Sequence, residues 1–180
     1  MISSKIFNKF ANRGMNLEED INITNEYYLE KNIAVIHKKP TPIKINKVNY
    51  SNKKHVTITE AFFEKASTTD YNGIYKGKYI DFDAKEIKNN KYFPLSNLHN
   101  HQIEHLKKVK EHGGISFIIV RFYINNSSYL LEIDKIIEFI QKQEKKSIPI
   151  EYFENNGYKI KESYLPRLDY LKILDKLYFN

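Results

Sequence analysis

Residues 68–87 read TTDYNGIYKGKYIDFDAKEI, a segment typical of a β-hairpin. Within residues 79–85 apolar and polar side chains alternate, which is the period of a β-strand with one face on the core. The polar face carries Asp81, Asp83 and Lys85, spaced about 6.8 Å apart in steps of two residues. The sequence therefore predicts a strand that presents two carboxylates and an ammonium on the face opposite its apolar side chains.

The position of the preceding turn decides which residue stands opposite Asp83. If Lys76-Gly77 forms the turn, Asp70 faces Asp83 at a Cα separation of about 4.5–5.5 Å. If Asn72-Gly73 forms it, the two acids separate, and Asn-Gly is the stronger two-residue turn signal. We favour the later turn because it pairs two longer strands.

Two facing carboxylates repel each other and destabilise a sheet unless something compensates their charge. A divalent cation would do so, since hard oxygen ligands suit Mg²⁺. Thr68 precedes Asp70 by two residues, shares its face and could add a hydroxyl. The alternative is a solvated strand face with a surface ion pair to Lys85, which would be preferred if this motif stood alone.

Gln102 is a second polar residue in an unexpected place. A helix is predicted over residues 96–112, ended by Gly113-Gly114, and Leu98, Gln102 and Leu106 lie on one face of it. A polar side chain that faces a sheet needs a partner. The metal or its bound water would supply one, and a backbone hydrogen bond at the edge of the apolar stripe is the alternative.

The remaining pattern predicts an α/β or α+β domain around a mixed sheet. Asn16 begins a helix as N-cap, with Glu19 in the capping-box position, and this helix ends near Asn32 with Leu29 in its core face. Further elements are strands over residues 33–37, 115–122 and 129–133, extended chain over 43–58, a helix over 134–143, and an amphipathic C-terminal helix that starts near Pro166.

Composition limits the class of protein. The 180 residues suit a single domain over residues 16–180, after a basic, mobile segment 1–15. There is no Cys, which excludes a disulfide framework, a thiolate zinc site and a cysteine nucleophile. No secretory signal and no apolar run near the ~20 residues of a membrane span is present, so we expect a soluble, cytoplasmic protein without membrane association.

The charge points to an anionic partner. Lys plus Arg (29) minus Asp plus Glu (22) gives +7. Residues 32–59 hold six Lys and no acid, and like charges repel unless an anion lies between them. This arm is expected to contact phosphates, and a solvated loop is the alternative. The basic residues expected to contact the phosphates of a nucleic acid are Arg13, Lys38, Lys39, Lys53 and Lys54.

Long stretches of the chain resemble one known family. These are IAVIHKKPTP (33–42), STTDYNGIYKG (67–77), YIDFDAKE (79–86) and HQIEH (101–105), in a resemblance that runs from residue 12 to residue 170. The chain resembles the RecU family of Holliday junction resolvases, within the PD-(D/E)xK nuclease superfamily. The bare superfamily motif is weakly specific, whereas the long matches in the same order are strongly specific.

The resemblance implies a restriction-endonuclease-like core, a mixed β-sheet flanked by helices, and a homodimer that cuts four-way DNA junctions with Mg²⁺, one or two ions per subunit. Recombinase or branch-migration proteins are implied as further partners. By position, the metal ligands would be Thr68, Asp70, Asp83 and Gln102, with Lys85 as the transition-state stabiliser. The family usually has Glu where this chain has Asp83, which is one methylene shorter and puts the ligand geometry in doubt.

The family also has a projecting stalk, which would fall within residues 43–67. Phe62 and Phe63 could there pack against bases at the junction centre. The alternative is that both rings belong to the ordinary core, and the sequence by itself slightly favours that alternative.

Two other functions compete with the nuclease. Residues 101–105 form an H-x-x-E-H string, the inverted zinc-protease pattern, with His101 and His105 on one helical face. A third ligand is not evident and proteolysis gives the basic arm no role. A non-catalytic DNA-binding or architectural protein would keep the basic arm but would not need the opposed acids.

Overall fold

The computed structural model describes residues 16–52, 55–63, 68–88 and 91–179. The predicted basic segment 1–15 with Arg13, and the predicted DNA-binding Lys53 and Lys54, lie outside these ranges. None of the helices within them has the length and hydrophobicity that crossing a bilayer requires.

The described residues form five α-helices and ten strands, with six strands in succession after the first helix. The helices are α1 (Leu17–Glu30), α2 (Asn100–Glu111), α3 (Ile133–Lys142), α4 (Ile150–Asn156) and α5 (Leu171–Tyr178), with a 3₁₀ turn at Leu95–Asn97. The strands are β1 (Val35–Lys38), β2 (Ile43–Asn52), β3 (His55–Phe63), β4 (Tyr71–Tyr75), β5 (Lys78–Ile87), β6 (Tyr92–Pro94), β7 (Ile115–Phe122), β8 (Ser127–Glu132), β9 (Ser147–Pro149) and β10 (Tyr158–Lys159).

A six-stranded mixed sheet in the order β1-β4-β5-β7-β8-β10 forms the centre of the fold. Only the central pair β5 and β7 is parallel, and α2 lies in the connection between them, as a parallel crossover requires. Strand β7 is buried along its whole length and occupies the residues predicted for it. The predicted mixed sheet with flanking helices is therefore confirmed.

Helices cover both faces of this sheet. Phe117 and Ile119 of β7 pack with α1 and α5 on one face, whereas Ile118 and Val120 pack with α2, α3 and α4 on the other. On the α1 face, Phe82 of β5 lies between two aromatic rings, with its centroid 4.9 Å from that of Tyr71 and 4.8 Å from that of Phe117. The apolar face of β5 is thus in the core, as predicted.

The β4–β5 hairpin turns at Lys76-Gly77, so the favoured register is confirmed. Both turn residues have positive φ, 46° and 76°, which suits the tight turns that match strand twist. The competing turn fails because Gly73 lies inside β4. A Cβ there would meet the Val35 carbonyl oxygen at 2.1 Å, so glycine is what allows β1 to pair so closely.

Strands β2 and β3 form a separate two-stranded sheet within the predicted stalk. They pair antiparallel, from Ile43 opposite Phe63 to Asn52 opposite His55. Phe62 is 56% exposed and Phe63 is 83% exposed. The core alternative for these two rings is therefore wrong.

Several local predictions need correction. Leu29 is exposed because the buried face of α1 runs through Leu17, Ile21 and Tyr28, and Leu29 lies beside that face. Helix α2 begins at Asn100, since the 3₁₀ turn occupies the residues where it was expected to start.

The C-terminal helix begins only at Leu171, because Pro166 lies in the irregular segment before it, where Glu162 and Leu168 pair in an isolated β-bridge. Helix α4 and the short strands β6, β9 and β10 were not predicted.

Candidate active site

Strand β5 places Asp83 and Lys85 on the face of the sheet that α2 covers. The Asp83 side chain is fully buried, and Lys85 Nζ lies 2.6 Å from its Oδ2. The same ammonium lies 3.9 Å from Asp70 Oδ2, so both carboxylates face one cation. The alternative of a solvated strand face fails at Asp83, whose side chain has no exposure, whereas the Lys85 and Asp70 side chains are 23% and 39% exposed.

Asp70 reaches this position from outside the sheet. Pairing between the two strands ends at Tyr71 opposite Phe82, so Asp70 stands in the bend just before β4. Its Oδ2 accepts a hydrogen bond of 3.1 Å from the backbone N–H of Ala84 on β5. The backbone of β5 therefore holds Asp70 beside Asp83, as the register predicted.

The two carboxylates are electrostatically coupled. Burial raises the pKa of Asp83 to about 7, the nearby negative charge of Asp70 adds to the rise, and the Lys85 ammonium offsets part of it. Near neutral pH, Asp83 therefore holds a proton in part of the molecules. A bound cation would favour its charged form.

Gln102 supports Asp83 from α2. Its Nε2 donates to Asp83 Oδ1 at 3.0 Å, and its Oε1 accepts from the backbone N–H of His99 at 3.0 Å. Gln102 is thus buried on the apolar stripe as predicted, with one bond toward the site and one to the backbone. Thr68 is half-buried, two residues before Asp70.

Asp83 Oδ2 is the atom that suggests a missing partner. It is buried and receives no hydrogen bond of acceptable geometry from the described side chains, although Lys85 Nζ is close. The Lys85 ammonium compensates part of the charge on this carboxylate, and the buried oxygen can still accept from a further donor or bind a cation. Oxygen donors with one unsatisfied buried lone pair suit a hard divalent cation.

The donor set decides which kind of cation fits. Within the described ranges, no three His, Cys, Asp or Glu side chains gather as a metal site. The Asp70 and Asp83 carboxylates fit an Mg²⁺ ion that keeps waters and takes phosphate oxygens. The Gln102 amide oxygen accepts from the His99 N–H in this structure and is not turned toward the two carboxylates.

The zinc-protease pattern does not fit, because His101 and His105 contact different residues. The ring of His101 stacks on that of His99, with their centroids 5.4 Å apart, whereas His105 Nε2 lies 3.0 Å from Asp81 Oδ2.

The hydrogen-bond network around Asp81 was missed by the sequence analysis. Asp81 accepts bonds from Lys39 Nζ at 3.0 Å and Tyr79 Oη at 2.8 Å, and its carboxylate also contacts Thr69 and His105. One signal could have found it: Asp81 shares the strand face of Asp83, and His105 follows Gln102 by three residues on α2.

Lys38 and Lys39, the two predicted DNA-binding lysines that the structure describes, already have acidic partners. Lys39 lies between Asp81 and the Thr69 hydroxyl, 2.8 Å from the latter. Lys38 pairs with Glu18 on α1, and both side chains are largely exposed. Their contacts with DNA stay a prediction.

An open groove of about 910 Å³ lies at the start of α2. Its polar lining consists of Ser96, His99, Asn100, His101, Lys145 and Lys146. The backbone N–H of His99, on the groove wall, donates to Gln102, which in turn donates to Asp83. Two hydrogen bonds therefore connect the groove with the carboxylate pair.

Comparison with known proteins identifies the family of this chain. The family model described as Recombination protein U, RecU, matches residues 12–176. The chain belongs to the RecU family. The Holliday junction resolvase RecU of Geobacillus kaustophilus is 54% identical over 174 residues, covering 95% of this chain and 87% of that protein. The protein of the same name in Oceanobacillus iheyensis is 55% identical over 173 residues, covering 94% and 88%.

A solved structure of a Holliday junction resolvase, Hjc of Archaeoglobus fulgidus, also matches. It is 12% identical, has a TM-score of 0.46, and the match covers 79% of this chain and 93% of Hjc. The RecU relatives are far closer in sequence.

Proposed function

We propose that this chain is a Holliday junction resolvase, an Mg²⁺-dependent endonuclease that cuts four-way DNA junctions in recombination and repair. The observation that carries the proposal is the pair of the half-buried Asp70 and the fully buried Asp83, which share one lysine while one Asp83 oxygen accepts no hydrogen bond of good geometry. Its support is that close RecU relatives bear the name of this activity.

Four residues would hold the metal: Asp70, Asp83, Thr68 and Gln102. When bound, Mg²⁺ would stabilise charge on the scissile phosphate and lower the pKa of a water. Asp70 and Asp83 supply the charged oxygens, and the Ala84 N–H and the Gln102 amide hold those two carboxylates in place. Gln102 presently gives its oxygen to His99, so direct ligation would exchange that bond.

Lys85 has a separate task. Its ammonium lies on the carboxylate pair and can neutralise negative charge that develops on the phosphate or orient the attacking water. The shorter Asp83 is compatible with this role, since its carboxylate contacts Lys85 and Gln102 at 2.6 Å and 3.0 Å.

The DNA would lie across the open side of this site. The groove lined by His99, His101, Lys145 and Lys146 suits the backbone phosphates that flank the cut. The exposed Phe62 and Phe63 of the β2–β3 hairpin suit stacking against unpaired bases at a junction centre. In a homodimer, two such sites would nick two opposed strands. Recombinase or branch-migration partners and a cytoplasmic location belong to the same proposal.

The test is cleavage of a synthetic mobile four-way junction beside a linear duplex, with and without Mg²⁺. We expect nicked duplex products from the junction only when Mg²⁺ is present, and none from Asp70→Asn, which should still bind the junction. A shifted band without products from the wild-type protein would support the non-catalytic DNA-binding alternative instead.

A further inference from the structure

Asp81 is a buried carboxylate that the proposed chemistry does not use. It stands two residues before Asp83 on the same face of β5, and its side chain has no exposure. Thr69 donates to Oδ1, whereas Lys39, Tyr79 and His105 all lie within hydrogen-bond distance of Oδ2. Both oxygens are therefore committed, so Asp81 is not available as a metal ligand.

The partners of Asp81 adjoin the proposed ligands on two sides. Thr69 lies between Thr68 and Asp70 in the bend before β4. Lys39 reinforces this side, because its side chain contacts Thr69 and Asp81 while its backbone N–H donates to the Asp70 carbonyl at 2.8 Å.

The second side is helix α2. His105 follows Gln102 by three residues, so the two side chains lie on the same face of the helix. His105 contacts Asp81 and Gln102 contacts Asp83, at 3.0 Å each. Asp81 and Asp83 of β5 thus each bind one side chain of α2, and these two side chains lie on successive turns of the helix.

We propose that Asp81 is a positioning residue. It holds the bend that carries Thr68 and Asp70 at a fixed distance from the helix that carries Gln102. This inference rests on the proposed metal site. It goes beyond that site because Asp81, which is not a ligand, determines how the four proposed ligands are arranged.

The negative charge of Asp81 matters, because an amide in its place would remove the charge that pairs with the Lys39 ammonium. Its N–H would point either at Lys39, which can only donate, or at the Thr69 hydroxyl, which would have to accept instead of donate.

The experiment measures metal binding by the DNA-free protein, without cleavage. Mn²⁺ accepts the same oxygen ligands as Mg²⁺, and its free-ion electron paramagnetic resonance signal falls on binding. For Asp81→Asn we expect affinity for Mn²⁺ to fall about tenfold or more, the usual cost of removing a group that orients ligands.

A matched control is Asp20→Asn. Asp20 is also buried and paired with two cations, Arg121 at 2.7 Å and Arg167 at 2.9 Å, but its partners adjoin none of the proposed ligands in the chain. We expect this variant to lose thermal stability and to keep the wild-type Mn²⁺ affinity. Equal losses of affinity in both variants would overturn the positioning role, because general destabilisation would explain them.

If Asp81→Asn does not fold, substitutions of single residues that contact Asp81 still test the inference. Thr69→Val and His105→Gln each alter a contact next to a ligand, whereas Tyr79→Phe removes a hydroxyl from the same carboxylate with no ligand beside it. We expect weaker Mn²⁺ binding in the first two variants and wild-type binding in the third. The reverse order would overturn the inference.

The two proposals fail in different ways. A wild-type protein that binds no Mn²⁺ would overturn the metal site and the positioning role together. A folded Asp81→Asn protein that binds Mn²⁺ as tightly as the wild type would overturn the positioning role alone.

Discussion

Lys85 Nζ lies 2.6 Å from Asp83 Oδ2, yet that oxygen accepts no hydrogen bond of good geometry from the part of the chain that the structure describes. One ammonium therefore compensates a buried carboxylate only in part, and Asp70 adds a second negative charge. The site is poised to gain from a further positive charge. This imbalance produces measurable consequences for stability, metal binding and catalysis.

Asp83→Asn should stabilise the metal-free protein at about pH 8. Because the pKa of Asp83 rises from 3.8 to about 7, the native state binds its proton more tightly than the unfolded chain does. Stability therefore falls as pH rises from about 4 to about 7, by on the order of 2–4 kcal/mol. The variant escapes this loss, and its unfolding midpoint by calorimetry should exceed that of the wild type by several degrees.

The control for Asp83→Asn is the same comparison at low pH. At about pH 5 most wild-type molecules carry the proton, so the difference in midpoint should largely disappear. Equal midpoints for the two proteins at both pH values would contradict the raised pKa of the buried Asp83 carboxyl.

Metal binding should compete with that proton. Below pH 7, the apparent dissociation constant for Mn²⁺ should rise about tenfold for each pH unit, because the ion displaces one proton from the Asp83 carboxyl. Titrations of the DNA-free protein at several pH values would measure this slope. Asp83→Asn should show weak binding with little pH dependence, and a pH-independent affinity in the wild type would argue against Asp83 as a ligand.

The part of the site that could be predicted from the sequence follows from the register of the β4–β5 hairpin. The alternation of residues 79–85 and the Lys76-Gly77 turn were enough to place Asp70 beside Asp83, because strand pairing is fixed once a turn is fixed. The position of Gln102 followed from helical periodicity in the same way. Both inferences rest on local geometry that repeats regularly along the chain.

What the sequence did not reveal depends on contacts between distant segments. The burial of Asp81 requires α2 and Lys39 to approach β5 from two sides. The strand face that it shares with Asp83 is a local signal, but it does not by itself specify that approach. The exposure of Phe62 and Phe63 was equally hidden, since a hydrophobic strand reads the same whether or not another layer covers it. Arg121, buried against Asp20, is a further ionic contact that only the tertiary structure shows.

Lys85→Ala should separate catalysis from metal binding. The ammonium lies within 4 Å of both carboxylates and opposes a bound cation, so its removal should leave Mn²⁺ affinity unchanged or raise it. Junction cleavage at saturating Mg²⁺ should fall about 10²–10³-fold, the usual cost of losing one stabilising group. Single-turnover assays would measure this, and cleavage at the wild-type rate would remove Lys85 from the chemistry.

The two exposed rings of the stalk should matter for junctions and not for folding. Phe62→Ala with Phe63→Ala removes side chains that are 56% and 83% exposed, so the unfolding midpoint should not change. If the rings stack on bases at the junction centre, junction affinity should fall by about 1–3 kcal/mol for each stacked base. Binding to a linear duplex, measured in parallel, should change little, and an equal loss on both DNAs would place the rings on ordinary duplex.

The groove at the start of α2 should contribute phosphate contacts. If Lys145 and Lys146 each neutralise one phosphate, the double alanine variant should reduce the slope of log affinity against log salt concentration by about 2. Lys172→Ala is the control, because Lys172 is 73% exposed on α5, and α5 packs on the opposite face of the sheet. Fluorescence titrations of a junction at four salt concentrations would give the slopes. Since the groove connects with Asp83 only through His99 and Gln102, Mn²⁺ affinity should stay at the wild-type value in both variants.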